Sequence, residues 1–197
     1  MFQAARENPL TLRKIAQRIR VPAGFLLAPL LLIAANPTPR SLMIGAAIAF
    51  AGLIIRAWAS GHLKKNMELT VSGPYARTRN PLYLGTFILG TGIAISSGAL
   101  WFVALFMALY LLIYAPVMFA EAETLRKLFP GEYEQYSQRV PLFLPRLLPF
   151  RAGADESHAR GERRFALSQY IKHREYRAAL GLLAVYALLT AKFLLIS

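Results

Sequence analysis

Residues Ser72-Gly73-Pro74-Tyr75-Ala76-Arg77-Thr78-Arg79-Asn80-Pro81-Leu82-Tyr83-Leu84-Gly85 form a dense polar and aromatic cluster that runs straight into an apolar stretch ending near Ser97. Gly73-Pro74 is a turn signal. Asn80 precedes a proline, whose ring disfavours helical backbone at the residue before it, so an extended conformation is expected there. Pro81 suits the first position of a helix, where an N–H would have no intrahelical partner anyway. The junction therefore reads as a helix start with free backbone N–H groups and a positive dipole end. Such a start favours a carboxylate or another acceptor-rich ligand. Tyr75 and Tyr83 flank it and offer ring faces to a planar base or a cation. The same residue types are also common as an interfacial belt where a helix enters a membrane.

Outward from this junction the chain is a series of apolar runs. Leu42 to Ala59, Leu100 to Ala120 and Ala178 to Ile196 approach the roughly 20 residues needed to cross a bilayer. Leu82 to Ser97 is slightly short but continuous, and Val21 to Ala35 is interrupted by Pro22 and Pro29. Asn36-Pro37-Thr38-Pro39 is too short for anything but the turn of an antiparallel helical hairpin. The expected fold is all-α: a polytopic membrane bundle of about five transmembrane helices with cytosolic amphipathic helices. Residues 1–197 read as one domain, with a cytosolic segment over 1–20, four spans over 21–120, a cytosolic segment over 121–177 and a last span over 178–197. No polar mature domain follows the first run, so a cleavable signal peptide is not expected.

Composition agrees. The chain is 56% hydrophobic with a net charge of +13 and a mean hydropathy of +0.40, too apolar for an ordinary soluble domain. A nucleic-acid binder would spread its basic residues over a stripe or a helix face. Here they fall between apolar runs, so no nucleic-acid partner is expected. There is no cysteine, hence no disulfide framework and no thiolate ligand or nucleophile. His62, His158 and His173 have no metal-ligand spacing and read as solvated loop residues; no metal site is expected. With the N-terminus inside, all Lys and Arg except Arg40, Arg56 and Lys192 lie on one face. The positive-inside bias places that face, and the 72–85 junction with it, in the cytoplasm. The same charge would suit anionic lipid headgroups, although orientation alone accounts for it.

A second segment lies on the same face. Glu121 sits at the inner end of the Leu100 run, where an ionisable residue is costly and tends to face a cavity or a partner; an ordinary interfacial carboxylate is the plainer alternative. Leu125, Leu128, Phe129, Tyr133 and Tyr136 follow near helical spacing, interrupted at Pro130-Gly131. They read as an amphipathic element lying back on the membrane face. Leu89-Gly90-Thr91-Gly92 imitates a nucleotide-binding turn but lies mid-span with no strand before it. Thr86 with Gly90, and Gly92 with Ser96, fit small-residue helix contacts instead. Farther on, Arg151 to Arg164 reads as a mobile stretch and Phe165 to Arg177 as an amphipathic surface helix. Arg174-Glu175-Tyr176 at its end is either a cap over a pocket or a salt-bridged helix terminus.

Together the two segments resemble the isoprenylcysteine carboxyl methyltransferase and phospholipid methyltransferase family over roughly residues 50 to 146. Gly73, Tyr75, Arg79, Pro81, Tyr83 and Gly85 match the first part of the family pattern. Glu121, Leu125, Phe129, Tyr133, Tyr136, Val140 and Pro141 match the second. The resemblance implies an S-adenosylmethionine pocket at the cytosolic helix ends, lined by Leu69, Thr70, Tyr75, Asn80, Pro81, Leu82, Tyr83 and Glu121. It implies catalytic roles for Glu121 and Arg79, and a lipid-like or isoprenylated acceptor, carboxylate or amine, entering from the inner membrane leaflet. Two positions depart from the pattern. Asn80 stands where many members have His, so proton transfer from that position is excluded. Val117 stands one helical turn before Glu121, where carboxyl methyltransferases carry Arg, which puts a prenylcysteine carboxylate in doubt. Two rivals remain: an NADPH-dependent membrane reductase of the sterol reductase type, which shares an Arg-x-Pro-x-Tyr-x-Gly segment, and a non-enzymatic lipid-binding membrane protein.

Overall fold

The computed structural model describes residues 26–63, 68–150 and 165–196. The basic segment 1–20, the start of the Val21 run, Lys64, Lys65, Met67, His158 and the polar stretch 151–164 lie outside the described residues. Everything described is helix, turn or loop. Helix α1 is seen over 26–34, followed by α2 (Pro39–His62), a 3₁₀ turn (Gly73–Ala76), α3 (Pro81–Ser96), α4 (Leu100–Leu128), α5 (Glu132–Arg139), α6 (Leu167–Lys172) and α7 (Tyr176–Ile196). Among the described residues, α2, α4 and α7 are long and apolar enough to cross a membrane, and α3 is a shorter apolar helix. The molecule is a membrane helix bundle.

Helix starts follow the local sequence. Thr38 caps α2 in a reciprocal capping box, its hydroxyl accepting from Ser41 N at 3.1 Å while Ser41 Oγ accepts from Thr38 N at 2.9 Å. Pro39 and Pro81 occupy first-turn positions, where no backbone donor is lost. At roughly 1.5 Å per residue α4 is about 44 Å long, beyond a hydrocarbon core of about 30 Å. Its last turns therefore stand clear of the bilayer interior, and Glu121 lies near that boundary.

Helices α2 and α3 run antiparallel along a seam of small residues. A Cβ on Gly92 would lie 2.3 Å from Ala49 N, and one on Gly52 would lie 2.4 Å from Leu89 N. The backbones touch, as lipid-embedded helices do where small residues allow it. Gly92 and Ser96 serve this seam by close backbone approach, while Thr86 meets α2 through Arg56 and Gly90 makes its close contact with α4 instead. Gly90 abuts the Phe106 ring of α4, and the Thr86 hydroxyl accepts from Arg56. At the far end, Lys192 of α7 donates to the carbonyls of Leu32 and Ile33. That accounts for a cation in the last span: it satisfies carbonyls that a helix end leaves open.

At the opposite end the loop before α3 is held by an irregular strap, residues 140–150. Phe150 N donates to Ala76 O at 2.8 Å, Arg146 N to Arg77 O at 2.9 Å, and Arg79 N to Pro141 O at 3.0 Å. Below it Tyr133 and Tyr136 of α5 are buried with Leu69 and Val140. Several sequence expectations are corrected here. Leu128 points outward, 53% exposed, because α4 ends there and the chain turns at Gly131 with φ +80. His62 belongs to the last turn of α2 and is buried, its Nδ1 2.9 Å from Trp58 O. The surface helix expected over Phe165–Arg177 is only the six residues of α6. A sharp turn at Arg174, φ +55, then starts the last span two residues earlier than the apolar run does.

Candidate active site

Three stretches that are distant in sequence meet at this end. The loop 68–80 and the first turn of α3 form one wall, the inner part of α4 a second, and the α6–α7 turn a third. They enclose a cavity of about 490 Å³, within the roughly 300–1,000 Å³ of small-molecule sites. Leu69, Thr70, Tyr75, Arg79, Asn80, Pro81, Leu82, Tyr83 and Glu121 all line it. Every site residue expected from sequence therefore faces one space. Leu125, Phe129 and Tyr136 line it too.

The end of the wall next to α3 is held by hydrogen bonds, while Leu69 and Val71 anchor its start by apolar packing. Thr78 Oγ1 donates to Phe143 O at 2.9 Å and accepts from Asn80 N at 3.3 Å. Asn80 Nδ2 donates to Leu142 O at 2.9 Å. Asn80 is thus a structural tie between the helix start and the strap, and its side chain does not cap α3. Its backbone (φ −128, ψ 57) is outside the helical region but short of fully extended, because the side chain must reach Leu142. The first turn of α3 carries Leu82 and Tyr83 at the cavity wall.

Arg79 reaches across from the loop. Its Nη1 donates to Tyr133 Oη at 2.9 Å, and its guanidinium stands 5.8 Å from that ring's centre. Its Nε is buried with no partner, as is Thr70 Oγ1. Buried polar atoms are costly when unpaired, and both of these residues line the cavity. Tyr136 Oη donates to Tyr75 O at 2.7 Å, tying α5 to the 3₁₀ turn. Burial pushes the Tyr75 hydroxyl far above its ordinary pKa, with Tyr136 and the carboxylates of Glu121 and Glu175 adding to the push. Burial does the same to Tyr136, against a smaller opposing effect of Arg79. Both hydroxyls stay protonated, and that of Tyr136 is the donor to Tyr75 O.

Four further lining residues, Leu63, Glu68, His173 and Glu175, are not among the site residues expected from sequence, although a cap at Arg174-Glu175-Tyr176 is one of the two alternatives read for that stretch. His173, read as a solvated loop residue, caps α6 with its Nε2 3.3 Å from Leu63 O. Glu175 is both of the things expected as alternatives. It lines the cavity, and it is salt-bridged: Arg56 Nη2 lies 2.8 Å from its Oε2, with side-chain exposures of 21% and 11%. The signal was the lone arginine inside the Leu42 run, which requires a partner. Among the described residues no cluster of His, Cys, Asp and Glu could hold a metal ion.

The chain is 32% identical over 112 residues to the nickel-cobalt-cadmium resistance protein NccN of Alcaligenes xylosoxydans xylosoxydans, covering 56% of this chain and 51% of that one. It is 32% identical over 111 residues to the cobalt-zinc-cadmium resistance protein CzcN of Cupriavidus metallidurans, covering 55% of this chain and 50% of that one. The chain thus spans about half the length of these curated relatives. No solved structure matches it. Residues 41–132 match the phospholipid methyltransferase family, a segment that contains all but the first two residues of α2, all of α3 and α4, and the cavity residues Leu69 to Phe129. The matched segment is just under half of the chain and is similar to the phospholipid methyltransferase family there.

Proposed function

We propose that this chain is an integral membrane methyltransferase that binds S-adenosylmethionine in the Glu121 cavity and methylates a lipid-like or isoprenylated acceptor. The observation that carries the reading is the convergence of Leu69, Thr70, Tyr75, the Asn80–Tyr83 start of α3 and Glu121 on one space. The wall fits the cofactor chemically. Glu121 offers a carboxylate to an ammonium or to ribose hydroxyls. The start of α3 offers N–H groups and a positive dipole end to a carboxylate. Thr70 Oγ1 and Arg79 Nε, buried and unpartnered, offer two further polar contacts. The Tyr75 and Tyr83 rings suit a planar base or a cation.

When bound, S-adenosylmethionine supplies a methyl group on a cationic sulfur that leaves as a neutral thioether. The chain's own part is placement. Holding donor and acceptor in line while excluding water is worth about 7–11 kcal/mol of a displacement barrier. Glu121 and Tyr83 fix the cofactor's aminoacyl or ribose end. Arg79, the only Arg or Lys among the described residues lining the cavity, orients an anionic group of cofactor or acceptor. An amine acceptor must lose a proton, and Glu121 is the carboxylate placed to receive it. Val117, where a carboxylate acceptor would want a cation, is buried and apolar. The site is read as facing the cytoplasm, where the cofactor is available.

The test is to incubate the purified protein with methyl-labelled S-adenosylmethionine and membrane lipid extracts. Label transferred to a lipid supports the proposal. Binding of NADPH, with no binding of the methyl donor, would replace it by a reductase.

A further inference from the structure

We infer that Glu175, presented by the α6–α7 turn and held by Arg56, is a ligand-facing carboxylate of this cavity besides Glu121 and selects a cationic occupant over its neutral counterpart. The inference rests on the cofactor reading above, and concerns a residue outside the segment that matches the family. Glu175 lines the cavity while Arg56 does not. Arg56 Nε and Nη2 donate to its carboxylate at 3.1, 3.0 and 2.8 Å, and Arg56 Nη1 donates to Thr86 on the far side. The pair is therefore oriented, with its negative end toward the cavity and its positive end tied to α3.

Two features maintain that orientation. A Cβ on Gly85 would lie 2.7 Å from Arg56 Cγ, so a bare α-carbon at 85 lets the arginine stem pass the start of α3. The left-handed turn at Arg174 breaks the path from α6 into α7 immediately before Glu175. An arginine fork bound to a carboxylate leaves that carboxylate some free acceptor capacity. Among the described residues lining the cavity, the carboxylates of Glu68, Glu121 and Glu175 outnumber the single guanidinium of Arg79, with Arg56 paired to Glu175 from outside the lining. The excess of carboxylates suits a sulfonium, and it gives no such help to the thioether left after transfer. Glu175 would thus hold the methyl donor and ease release of the spent product.

The experiment compares binding of S-adenosylmethionine and S-adenosylhomocysteine to the full chain in detergent, by calorimetry, for wild type, Glu175→Gln and Glu175→Asp. The expected result is a wild-type preference for the sulfonium. Glu175→Gln lowers sulfonium affinity about tenfold, the size expected for one nearby unit charge in a partly screened site, and changes thioether affinity less than twofold. Glu175→Asp retains most of the preference. Equal losses for both ligands, or no loss for either, would overturn the inference, leaving Glu175 a helix-end salt bridge. So would a wild type that does not prefer the sulfonium, whether or not the variants fold. A wild type that binds neither ligand would remove the cofactor reading itself, and this one with it.

Discussion

The two ends of α3 solve different problems with the same small helix. Toward Ser96 the helix is pressed against α2, glycine to backbone, with the gap closed to van der Waals contact. Toward Pro81 the same helix opens onto a cavity of about 490 Å³ whose wall includes unpartnered polar atoms. Close packing joins α3 to α2 along the apolar seam, while the space that gathers the expected site residues lies at the polar end. Arg56 and Gly85 sit at the changeover, the last close contact of the seam and the first support of the site.

Breaking the packed end should have the largest effect. Gly52→Leu forces a side chain onto the Leu89 backbone. Overpacking of this kind costs on the order of 1–3 kcal/mol or more, so thermal unfolding in detergent should show a large drop with all ligand binding lost. Altering the open end should do the reverse. Glu121→Ala is expected to weaken methyl-donor binding at least tenfold (about 1.4 kcal/mol) while leaving the unfolding temperature nearly unchanged. Tyr136→Phe tests the tie between the two walls. It leaves the Tyr75 carbonyl without its buried donor, a loss of about 1–3 kcal/mol that appears in stability and, more weakly, in binding.

Gly85→Ala probes the changeover itself. Its methyl meets Arg56 Cγ at 2.7 Å and Gly52 O at 2.9 Å. It should cost about 1 kcal/mol or more of stability and also reduce the preference for a cationic ligand, an effect Gly92→Ala should lack. The smallest effect is one of pH. Tyr75 and Tyr136 have folded pKa values raised above the ordinary value of 10. Their contribution to stability is therefore complete below about pH 10 and is lost as pH rises further, where only the unfolded chain ionises. Replacing Tyr136 by Phe should flatten part of that alkaline decline in a melting series.

The sequence made the packed end and two of the three cavity walls readable, for physical reasons. Apolar length marks α2, α4 and α7, and Asn80-Pro81 marks the start of α3, because proline restricts both its own φ and its predecessor's backbone. Glu121 was visible because a carboxylate at a membrane boundary needs a reason. The third wall was visible only as one of two alternatives for Arg174-Glu175-Tyr176. Its hold on Glu175 joins residues 119 positions apart, and no local pattern encodes such a pairing. The strap over 140–150 was equally silent, since it binds the 76–80 loop through backbone groups that every residue carries. His62 was misread because its charge type suggested solvent. Its place in the last turn of α2, against Gly73 and Phe165, was set by tertiary contacts.

The most direct measurement is calorimetric titration of S-adenosylmethionine into wild type, Glu121→Ala and Tyr83→Ala in detergent. Saturable binding to wild type that is weakened at least tenfold in both variants is the expected result. Equal affinity in all three would mean that the methyl donor does not occupy the space between the start of α3 and Glu121.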